Sequence, residues 1–348
     1  MSVPYLSLII PVLDEAEHLP DLLTSLRNQQ GLSLEIIIAD GGSHDDSCRI
    51  AESFHAVVVR TERGRGRQMN AGARAARGEF LLFLHADSGL EDPRLLANAL
   101  DRLREEISRL GGDGVAGHFP LRFQRSDGRN SLAYRFLEAK SRLNRTNTTS
   151  GDQGFLLSKG YFERLGGFDE TFPFLEDQEM AERIREEGAW ITLPGVLATS
   201  ARRFEVEGFH RRYILMGIIM GLYSTGTLIF FERARNVYSV QSGMGRLLLT
   251  PYFRVLRRMF REDLGFTGSI RVWFRLGRYI RRNAWQLFFF IDLLLGPVFG
   301  GDRNPCLCFH DRFFRPLTDF AFFDAVTALL SFAWYMGILA AWFRLTED

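Results

Sequence analysis

Cysteine is scarce in this sequence, and charge of either sign is not in excess. The 348 residues contain three cysteines, Cys48, Cys306 and Cys308, with no Cys-x-x-Cys pair. This excludes a disulfide scaffold and argues against a structural zinc site. The 43 basic and 42 acidic residues give a net charge of +1, which argues against a dedicated nucleic-acid binder. With 46% apolar residues, the chain is globular rather than disordered.

The N-terminal segment lacks the features of a signal peptide. Residues 1–14 contain no basic cluster, and the apolar run Leu6–Val12 is too short for the core of a leader. We therefore expect this run to be a buried strand and the N-terminal region to lie in the cytoplasm.

Short apolar runs alternate with amphipathic stretches over residues 6–124. The predicted strands are Leu6–Val12, Leu34–Ala39, Ala56–Arg60 and Phe80–Leu84. The predicted helices are Ala16–Arg27, Asp45–Phe54, Arg67–Ala76 and Arg94–Leu110. The alternation predicts an α/β fold, with a mostly parallel sheet flanked by helices. Further strands are predicted at Val115–Gln124 and Gly154–Ser158, and further helices at Lys159–Leu165 and Asp177–Glu187.

Polar residues follow each of the first four predicted strands, where ligands of parallel sheets bind. Asp14 and Glu15 follow the first strand, and residues 40–45, Asp-Gly-Gly-Ser-His-Asp, follow the second. Their carboxylates can accept hydrogen bonds from a base or ribose. A capped helix, with Ser43 or Asp45 as N-cap, is the alternative.

The loops after the third and fourth strands favour phosphate and metal binding. Residues 63–67 contain three arginines near a helix start, which suits a diphosphate, although a solvated basic turn has the same composition. His85 and Asp87 follow Phe80–Leu84 directly. A carboxylate at a strand end suits a divalent cation that bridges phosphates, and helix capping before Pro93 is the alternative.

Acidic residues also precede the last predicted strand and helix of this region. Gly151-Asp152-Gln153 precedes the predicted strand Gly154–Ser158, and Glu176-Asp177 lies at the start of the predicted helix Asp177–Glu187. Adjacent acids at a helix start can be cap and dipole partners or can supply a general base. Arg202 and Arg203 are candidates for phosphate contacts or for surface charge.

The order of these motifs resembles the family 2 glycosyltransferases with the GT-A fold. Such proteins have a Pro-x-x-Asn-Glu loop, an Asp-Asp-Gly-Ser loop, an Asn-x-Gly helix, an Asp-x-Asp motif and a Glu-Asp pair. The corresponding positions here are Pro11–Glu15, Asp40–Asp45, Asn70–Gly72, His85–Asp87 and Glu176–Asp177. The resemblance covers residues 6–210, and the variants Asp40-Gly-Gly-Ser and Phe83-Leu-His-Ala-Asp look like one bacterial subgroup.

The resemblance implies a role for each matched position. Asp177 would be the catalytic base, with Glu176 beside it, for an inverting in-line attack. Asp87 would bind Mg²⁺ or Mn²⁺, with His85 as a further candidate ligand. Acceptor or phosphate contacts would come from Asp152, Gln153, Arg202 and Arg203. The nucleotide-sugar site would consist of Pro11, Asp14, Glu15, Asp40, Gly42, Ser43, Arg67, Asn70, His85, Ala86 and Asp87.

Three positions depart from the family pattern. Asp14 replaces the usual Asn, and Gly41 replaces the second Asp of the nucleotide loop, which often contacts the base. His85 replaces the first Asp of the metal motif. Gly41 bears on whether the site prefers uridine, and His85 bears on how tightly the site binds a metal ion.

The last third of the chain changes in character. Residues 213–231 and 325–343 contain no charge, and the second run would span about 28 Å as a helix, close to a bilayer core. It is the best transmembrane candidate; a buried helix of a soluble domain is the alternative. Residues 284–300 are apolar except for Asp292 and are expected to be re-entrant, interfacial or half of a hairpin because Gly296-Pro297 would break a helix.

Arginines and aromatics alternate over residues 233–282, which is typical of an amphipathic helix on anionic lipid. An RNA-binding patch is the rival, but the neighbouring apolar segments favour membrane lipids and no nucleic acid. We expect residues 213–231 to form a helix that packs under the catalytic domain, near the membrane surface; a membrane span is the alternative.

These observations predict three regions: a GT-A domain at 1–212, an Arg-rich helical region at 213–283 and a membrane-associated region at 284–348. The predicted function is transfer of a sugar from a nucleotide-diphosphate sugar to a lipid-linked acceptor, at the cytoplasmic face of the cell inner membrane and in envelope biosynthesis. The alternatives are a non-catalytic membrane scaffold that keeps the fold, and a nucleotidyltransferase, whose Gly-rich N-terminal signature is missing.

Overall fold

The chain is described by a computed structural model that covers residues 5–126, 131–172, 175–241, 245–299 and 304–347. Phe174 and Gly300, which belong to predicted segments, lie outside these ranges. The chain divides into two units, Met1–Ala201 and Arg202–Asp348. The second unit therefore begins before residue 212, where the sequence analysis places the end of the first domain.

The first unit is built from strands and helices in alternation. Its strands are β1 (Leu6–Val12), β2 (Leu34–Asp40), β3 (Val57–Arg60), β4 (Phe80–Phe83), β5 (Ser88–Gly89), β6 (Val115–His118), β7 (Leu121–Gln124), β8 (Phe155–Ser158), β9 (Ala189–Thr192) and β10 (Leu197–Ser200). Its helices are α1 (Leu19–Arg27), α2 (Ser47–Ser53), α3 (Arg65–Ala75), α4 (Leu95–Leu110), α5 (Leu132–Ser141), α6 (Lys159–Arg164) and α7 (Glu176–Glu187), with a 3-10 turn at Gly151–Gln153.

The strands form two sheets. The larger has the order β3-β2-β1-β4-β8-β6-β9, and its neighbours are parallel except where β8 pairs with β4 and β6. The smaller has the order β5-β10-β7. The predicted α/β fold with a mostly parallel sheet is confirmed.

Burial along the larger sheet explains why its strands could be read from the sequence. Every residue of β4 is buried, as are all of β1 except Pro11, which is half-buried. Central parallel strands are covered on both faces and therefore form unbroken apolar runs. At the sheet edge, β3 is less buried, and Val57 is 42% exposed.

One predicted strand is wrong. Residues 115–124 form two strands, β6 in the larger sheet and β7 in the smaller, with Phe119 and Pro120 between them. Pro120 cannot donate to a ladder because it has no N–H. The peptide groups of Phe119 bond instead to Gln153, whose carbonyl accepts the Phe119 N–H at 2.9 Å.

The second unit is helical in its described residues. Its helices are α8 (Arg202–Glu207), α9 (Phe209–Ser224), α10 (Ile229–Gln241), α11 (Thr250–Arg258), α12 (Gly265–Arg282), α13 (Trp285–Phe299), α14 (Pro305–Phe309), α15 (Arg315–Thr318), α16 (Ala321–Phe332) and α17 (Ala340–Glu347). Three π-helical turns lie between them, at Met259–Asp263, His310–Phe314 and Ala333–Leu339. The predicted helical C-terminal region is confirmed.

Two apolar segments of this unit differ from their predictions. Residues 213–231 are divided between α9 and α10, since Gly226 adopts a left-handed φ of 71° between them. Gly296 and Pro297 do not break the helix at 284–300, because α13 continues to Phe299. Pro297 lies in its last turn, where the missing N–H removes one hydrogen bond.

Residues Ala321–Glu347 form one continuous helix through α16, the π turn and α17. An 18-residue window of this helix has a mean hydropathy of 1.7, and 22% of the window is buried inside the protein. By length and composition the helix could therefore cross a membrane. It is the one helix of this kind in the ranges that the structure describes, and it contains the predicted span 325–343. α16 packs closely on α12, where a Cβ at Gly277 would collide with the backbone of Asp324 and Ala328.

In the first unit, Gly72 allows α3 to pack against β1. A Cβ at Gly72 would lie 2.5 Å from Cγ2 of Ile9, which is fully buried. We expect Gly72→Ala to destabilise this unit by about 1–3 kcal/mol, the usual cost of overpacking. Thermal unfolding and hydrogen exchange of the β1 amides would measure the change. The matched control is Gly112→Ala, whose Cβ would meet nothing within 4 Å; equal stability of the two variants would contradict the packing argument.

Candidate active site

The candidate site lies at the carboxyl ends of β1, β2 and β4. In the larger sheet, β2 and β3 lie on one side of β1, and β4 lies on the other side. At such a switch point the loops diverge and leave a crevice for a ligand. The predicted residues Asp14, Asp40 and Asp87 belong to the three loops that border this crevice.

The loops after β1 and β2 are joined by hydrogen bonds. Oδ1 of Asp14 accepts the His44 N–H at 2.7 Å, and the Ser43 hydroxyl accepts the Asp14 N–H at 3.0 Å. Asp14 has a left-handed φ of 55°, which Asp adopts more readily than most residues. Ser43 therefore connects the loops instead of capping α2, and Asp45 accepts the N–H of Ala16 at 2.9 Å.

Asp40 is held as a carboxylate at the end of β2. Its oxygens accept the N–H groups of Ser43 at 3.0 Å and of Gly42 at 3.3 Å. Burial raises the pKa of Asp40, but the hydrogen bonds of Ser43 and Gly42 outweigh it and hold the pKa below its ordinary value. Asp40 can therefore accept hydrogen bonds from a ligand while it is ionised at neutral pH.

Gln68, on α3, ties the ends of β1 and β2 together. Its Nε2 donates to the carbonyls of Val12 and Ala39, both at 2.9 Å. The carboxamide lies against Gly41, where an added Cβ would be 2.9 Å from Cδ of Gln68. The side chain that the family pattern has at position 41 would meet Gln68 here, which gives a packing reason for glycine.

The arginines of the basic loop at residues 63–67 contact different partners. α3 begins at Arg65 rather than Arg67, and Nη1 of Arg65 lies 3.3 Å from Oε1 of Glu176. Arg67 instead pairs with Glu62, and its Nε lies 3.8 Å from Oε2 of Glu170. The sequence pattern pointed to Arg67 as the nucleotide contact and did not single out Arg65, because the partner of Arg65 is far along the chain. The helical phase, about 100° per residue, separates the two arginines.

Both polar atoms of the Asn70 side chain form hydrogen bonds within the protein. Its amide donates to the Phe168 carbonyl at 2.8 Å and to Glu170 at 2.9 Å, and its Oδ1 accepts the Phe168 N–H at 2.9 Å. Asn70 therefore fixes the segment before α7, and a direct contact with nucleotide stays a prediction.

The acidic centre forms where the loop after β4 meets the 3-10 turn. Nδ1 of His85 lies 2.7 Å from Oδ1 of Asp152, and Oδ2 of Asp177 accepts the Gly151 N–H at 2.6 Å. A Cβ at Gly151 would lie 2.9 Å from Nε2 of His85 and 3.2 Å from Oδ2 of Asp177. Glycine at position 151 is therefore what brings the two predicted functional side chains together.

The start of α7 places the acids in a small cleft. Leu175, immediately before Glu176 and Asp177, has a left-handed φ of 75°, a strained conformation for a bulky residue and one found at functional sites. Glu176 is 1% exposed, and its charge is balanced by Arg65. The cleft is lined by Arg65, Met69, Phe83, His85, Gly151, Phe155, Phe168, Glu176 and Asp177.

Electrostatics in this cleft favour proton transfer. Burial and the neighbouring Glu176 carboxylate raise the pKa of Asp177, against the effects of Arg65, the Gly151 N–H and His85. Burial lowers the pKa of His85, but Asp152 and the charge of Asp87 outweigh it and raise the pKa above its ordinary value. A carboxylate with a raised pKa is a better base than a solvated one.

The residues around Asp87 fit a divalent cation that is also held by substrate. The Asp87 side chain makes no hydrogen bond or ion pair within the described ranges, so its oxygens are available. Nδ1 of His85 is bonded to Asp152, an arrangement that orients a ligating imidazole in metal sites. The described residues contain no cluster of three or more His, Cys, Asp or Glu that could hold a metal, and Mg²⁺ often binds one or two carboxylates plus phosphates.

The remaining predicted residues lie in different places. Pro11 is half-buried in β1, and Ala86 is buried beside Asp87. The Glu15 N–H bonds to the Ser47 hydroxyl at 2.9 Å. Gln153 is fully buried, and its amide donates to the carbonyls of Ser141 at 3.0 Å and of Phe119 at 3.2 Å, so its bonds position the turn that carries Asp152.

Arg202 and Arg203 belong to the second unit, at the start of α8. Nε of Arg203 lies 3.3 Å from Oε1 of Glu207. Their contact with phosphate or acceptor stays a prediction.

Comparisons with known proteins find one family and several curated glycosyltransferases that are similar to this chain. Residues 7–166 match the model of the family described as glycosyl transferase family 2. A PGL/p-HBAD biosynthesis glycosyltransferase of Mycobacterium tuberculosis is 38% identical over 104 residues, 28% of this chain and 41% of that protein. An undecaprenyl-phosphate 4-deoxy-4-formamido-L-arabinose transferase of Pseudomonas fluorescens is 34% identical over 121 residues, 32% of this chain and 34% of that protein.

The chain thus spans less than half of the length of these curated relatives. Among solved structures, S. aureus TarS 1-349 in complex with UDP has a TM-score of 0.48 and 15% identity, covering 96% of this chain and 92% of that one. The family match falls on β1 to α6, which carry the loops of the crevice and the 3-10 turn. The similarity to glycosyl transferase family 2 thus extends over most of the first unit, Met1–Ala201.

Proposed function

We propose that this protein is an inverting glycosyltransferase that moves a sugar from a nucleotide-diphosphate sugar to a lipid-borne acceptor. The observation that carries the proposal is the convergence of Asp177, His85 and Asp152 at Gly151, beside the free carboxylate of Asp87. The family match supports the same chemistry.

The donor would bind in the crevice at the ends of β1, β2 and β4. Asp40, Asp14 and the backbone of residues 42–43 would contact the nucleoside. Arg65 lies at the N-terminal end of α3, where the positive end of the helix dipole also favours a diphosphate. Mg²⁺ or Mn²⁺, held by Asp87 with His85 as a further ligand, would neutralise charge on the leaving diphosphate.

Asp177 would be the base for the acceptor. It lies in the same cleft as His85 and Arg65, and its raised pKa suits removal of a hydroxyl proton. In-line attack by the resulting oxygen on the anomeric carbon would invert that centre. The buried Glu176, paired with Arg65, would hold that guanidinium in the cleft.

A membrane location and a lipid acceptor are supported by the second unit. The helix Ala321–Glu347 is long and apolar enough to span a bilayer. Arg254, Arg257, Arg258 and Arg261 are exposed on α11 and the turn after it, where they would meet anionic lipid. One relative is named for an undecaprenyl-phosphate substrate. We place the protein at the cytoplasmic face of the cell inner membrane, in envelope biosynthesis.

Replacement of the base separates catalysis from binding. We expect Asp177→Asn to keep donor affinity but to lower turnover by roughly 10²-fold or more, the usual effect of a lost general base. Donor hydrolysis or transfer assays and calorimetry would measure the two quantities. Glu186→Gln, an exposed carboxylate on the same helix, is the control and should match the parent. Full turnover in Asp177→Asn would assign Asp177 a structural role or the acceptor a phosphate nucleophile.

Replacement of the metal carboxylate tests the donor site itself. We expect Asp87→Asn to abolish the Mn²⁺-dependent part of nucleoside diphosphate affinity, because no second free carboxylate lies in the same loop. Titration calorimetry with and without Mn²⁺ would measure it, with Asp21→Asn, an exposed residue of α1, as control. Unchanged metal dependence would refute the assignment, and a chain that binds no nucleotide in any form would refute the enzyme proposal.

Charges on the exposed face of α16 test the membrane location. Leu329 is 72% and Leu330 is 67% exposed. The full chain should stay with membranes through a carbonate wash, and Leu329→Lys/Leu330→Lys should weaken this retention, since each lysine near the bilayer centre costs about 2.5–3.5 kcal/mol. Leu110→Lys, an exposed residue of α4, is the control. Parent protein in the soluble fraction at low salt would contradict the membrane proposal.

A further inference from the structure

The helical unit contains a cavity of about 500 Å³. Its walls come from α9, α11, α12, α13, α16 and the three π turns at Met259–Asp263, His310–Phe314 and Ala333–Leu339. Such a volume is typical of pockets that bind small ligands. Each of these π turns contributes an aromatic side chain, Phe260, Phe314 and Tyr335, and single π turns within helices are frequent at functional sites.

One end of the cavity is aromatic and apolar. Trp273 stacks on Phe260 with ring centroids 5.3 Å apart and meets the edge of Phe332 at 5.2 Å. Leu222, Leu256 and Leu276 continue this wall. Thr327 and Tyr335 add single hydroxyl groups. The surface at this end suits hydrocarbon rather than a sugar or nucleotide.

The other end is polar and positively charged. From Trp273 the lining follows α12 to Arg281 and Asn283, which is about 15 Å at 1.5 Å per residue. Arg281 bonds to Asp324 at 2.7 Å and to Asp319 at 2.6 Å, and Arg278 bonds to Asp324 at 2.9 Å. The two arginines are therefore balanced by two carboxylates.

Two further arginines give this end its excess charge. Arg282 directly follows Arg281 at the end of α12, and Arg315 lies at the start of α15, four residues before Asp319. In agreement with this placement, the hydrogen bond from Arg281 lowers the pKa of Asp319, and the charges of Arg282 and Arg315 lower it further. Arg315 follows Phe314, which lines the cavity. The four guanidinium groups exceed the two carboxylates by two, which favours an anionic group.

The cavity opens toward apolar surface. Leu287, which belongs to its lining, is 62% exposed. Leu294 on the same helix and Leu317 on α15 are also exposed, at 49% and 69%. The exposed lining residue Leu287, in a unit that exposes further leucines, favours a ligand that arrives from lipid rather than from water.

We infer that this cavity binds a lipid with one long hydrocarbon chain and a phosphate head, its chain against Trp273 and Phe260 and its head at Arg282 and Arg315. The length of the lining along α12, about 15 Å at 1.5 Å per residue, and the cavity volume of about 500 Å³ suit a hydrocarbon chain. The inference rests on the proposed function only in that this lipid would be the acceptor or its carrier.

Photo-crosslinking would test the site in the full chain in detergent, with hexadecyl phosphate that carries a terminal diazirine. We expect cross-links in peptides of α11, α12 and the π turns. Gly217 lines the cavity on α9, and Tyr335 Oη is 3.4 Å from where its Cβ would be. Gly217→Leu should reduce cross-linking at least tenfold, while Ser224→Leu, exposed on the same helix, should not.

A second arm tests the head. Arg282→Gln/Arg315→Gln should weaken binding of hexadecyl phosphate at least tenfold and leave binding of hexadecanol unchanged, as measured by native mass spectrometry. Cross-links confined to the outer face of α16, or equal labelling of the Gly217→Leu and parent proteins, would overturn the inference. An equal loss for phosphate and alcohol would overturn the assignment of the head. Because neither assay contains a nucleotide sugar, lipid binding without any transfer would count against the proposed function alone.

Discussion

The close approach of the Gly151 backbone to His85 and Asp177 is the contact on which the catalytic geometry depends. The Gly151 N–H fixes one oxygen of Asp177, and the next residue, Asp152, fixes the imidazole of His85. The turn itself is held by the buried Gln153 through carbonyls of Phe119 and Ser141. The position of the base is thus set by main-chain contacts that reach back to the break between β6 and β7.

The lining of the cleft contains two adjacent acidic side chains, Glu176 and Asp177. Glu176 is almost fully buried and pairs with Arg65, whereas Asp177 is only half-buried. The ion pair leaves Asp177 as the carboxylate whose pKa is raised, by burial first and then by the charge of Glu176. In the proposed mechanism these two adjacent acids have different roles, Glu176 as the partner of a guanidinium and Asp177 as the base, which is a common way to separate such roles in active sites.

Local sequence patterns predicted the parts of the site that are local in structure. Asp14 and Asp40 could be placed at strand ends because β1 and β2 are mostly apolar, each interrupted by one buried polar residue, Ser7 or Glu35. The pairs that complete the site could not be predicted, since His85 and Asp152 are 67 residues apart and Arg65 and Glu176 are 111 apart. The phase of α3 was missed for a related reason: its start at Arg65 depends on a distant partner, and no apolar periodicity marks it.

The helical unit buries several ionisable side chains and exposes several large apolar ones. Asp292 is buried and accepts the N–H groups of Cys306 and Leu307 at 2.8 and 2.7 Å, and Asp324 is buried against two arginines. By contrast, large apolar side chains on α16 and the turn after it are well exposed. Ionisable groups that face the interior and are paired there are typical of helices surrounded by lipid. In water, the exposed leucines would favour association or aggregation, whereas next to a bilayer the same arrangement leaves both kinds of side chain in a suitable environment.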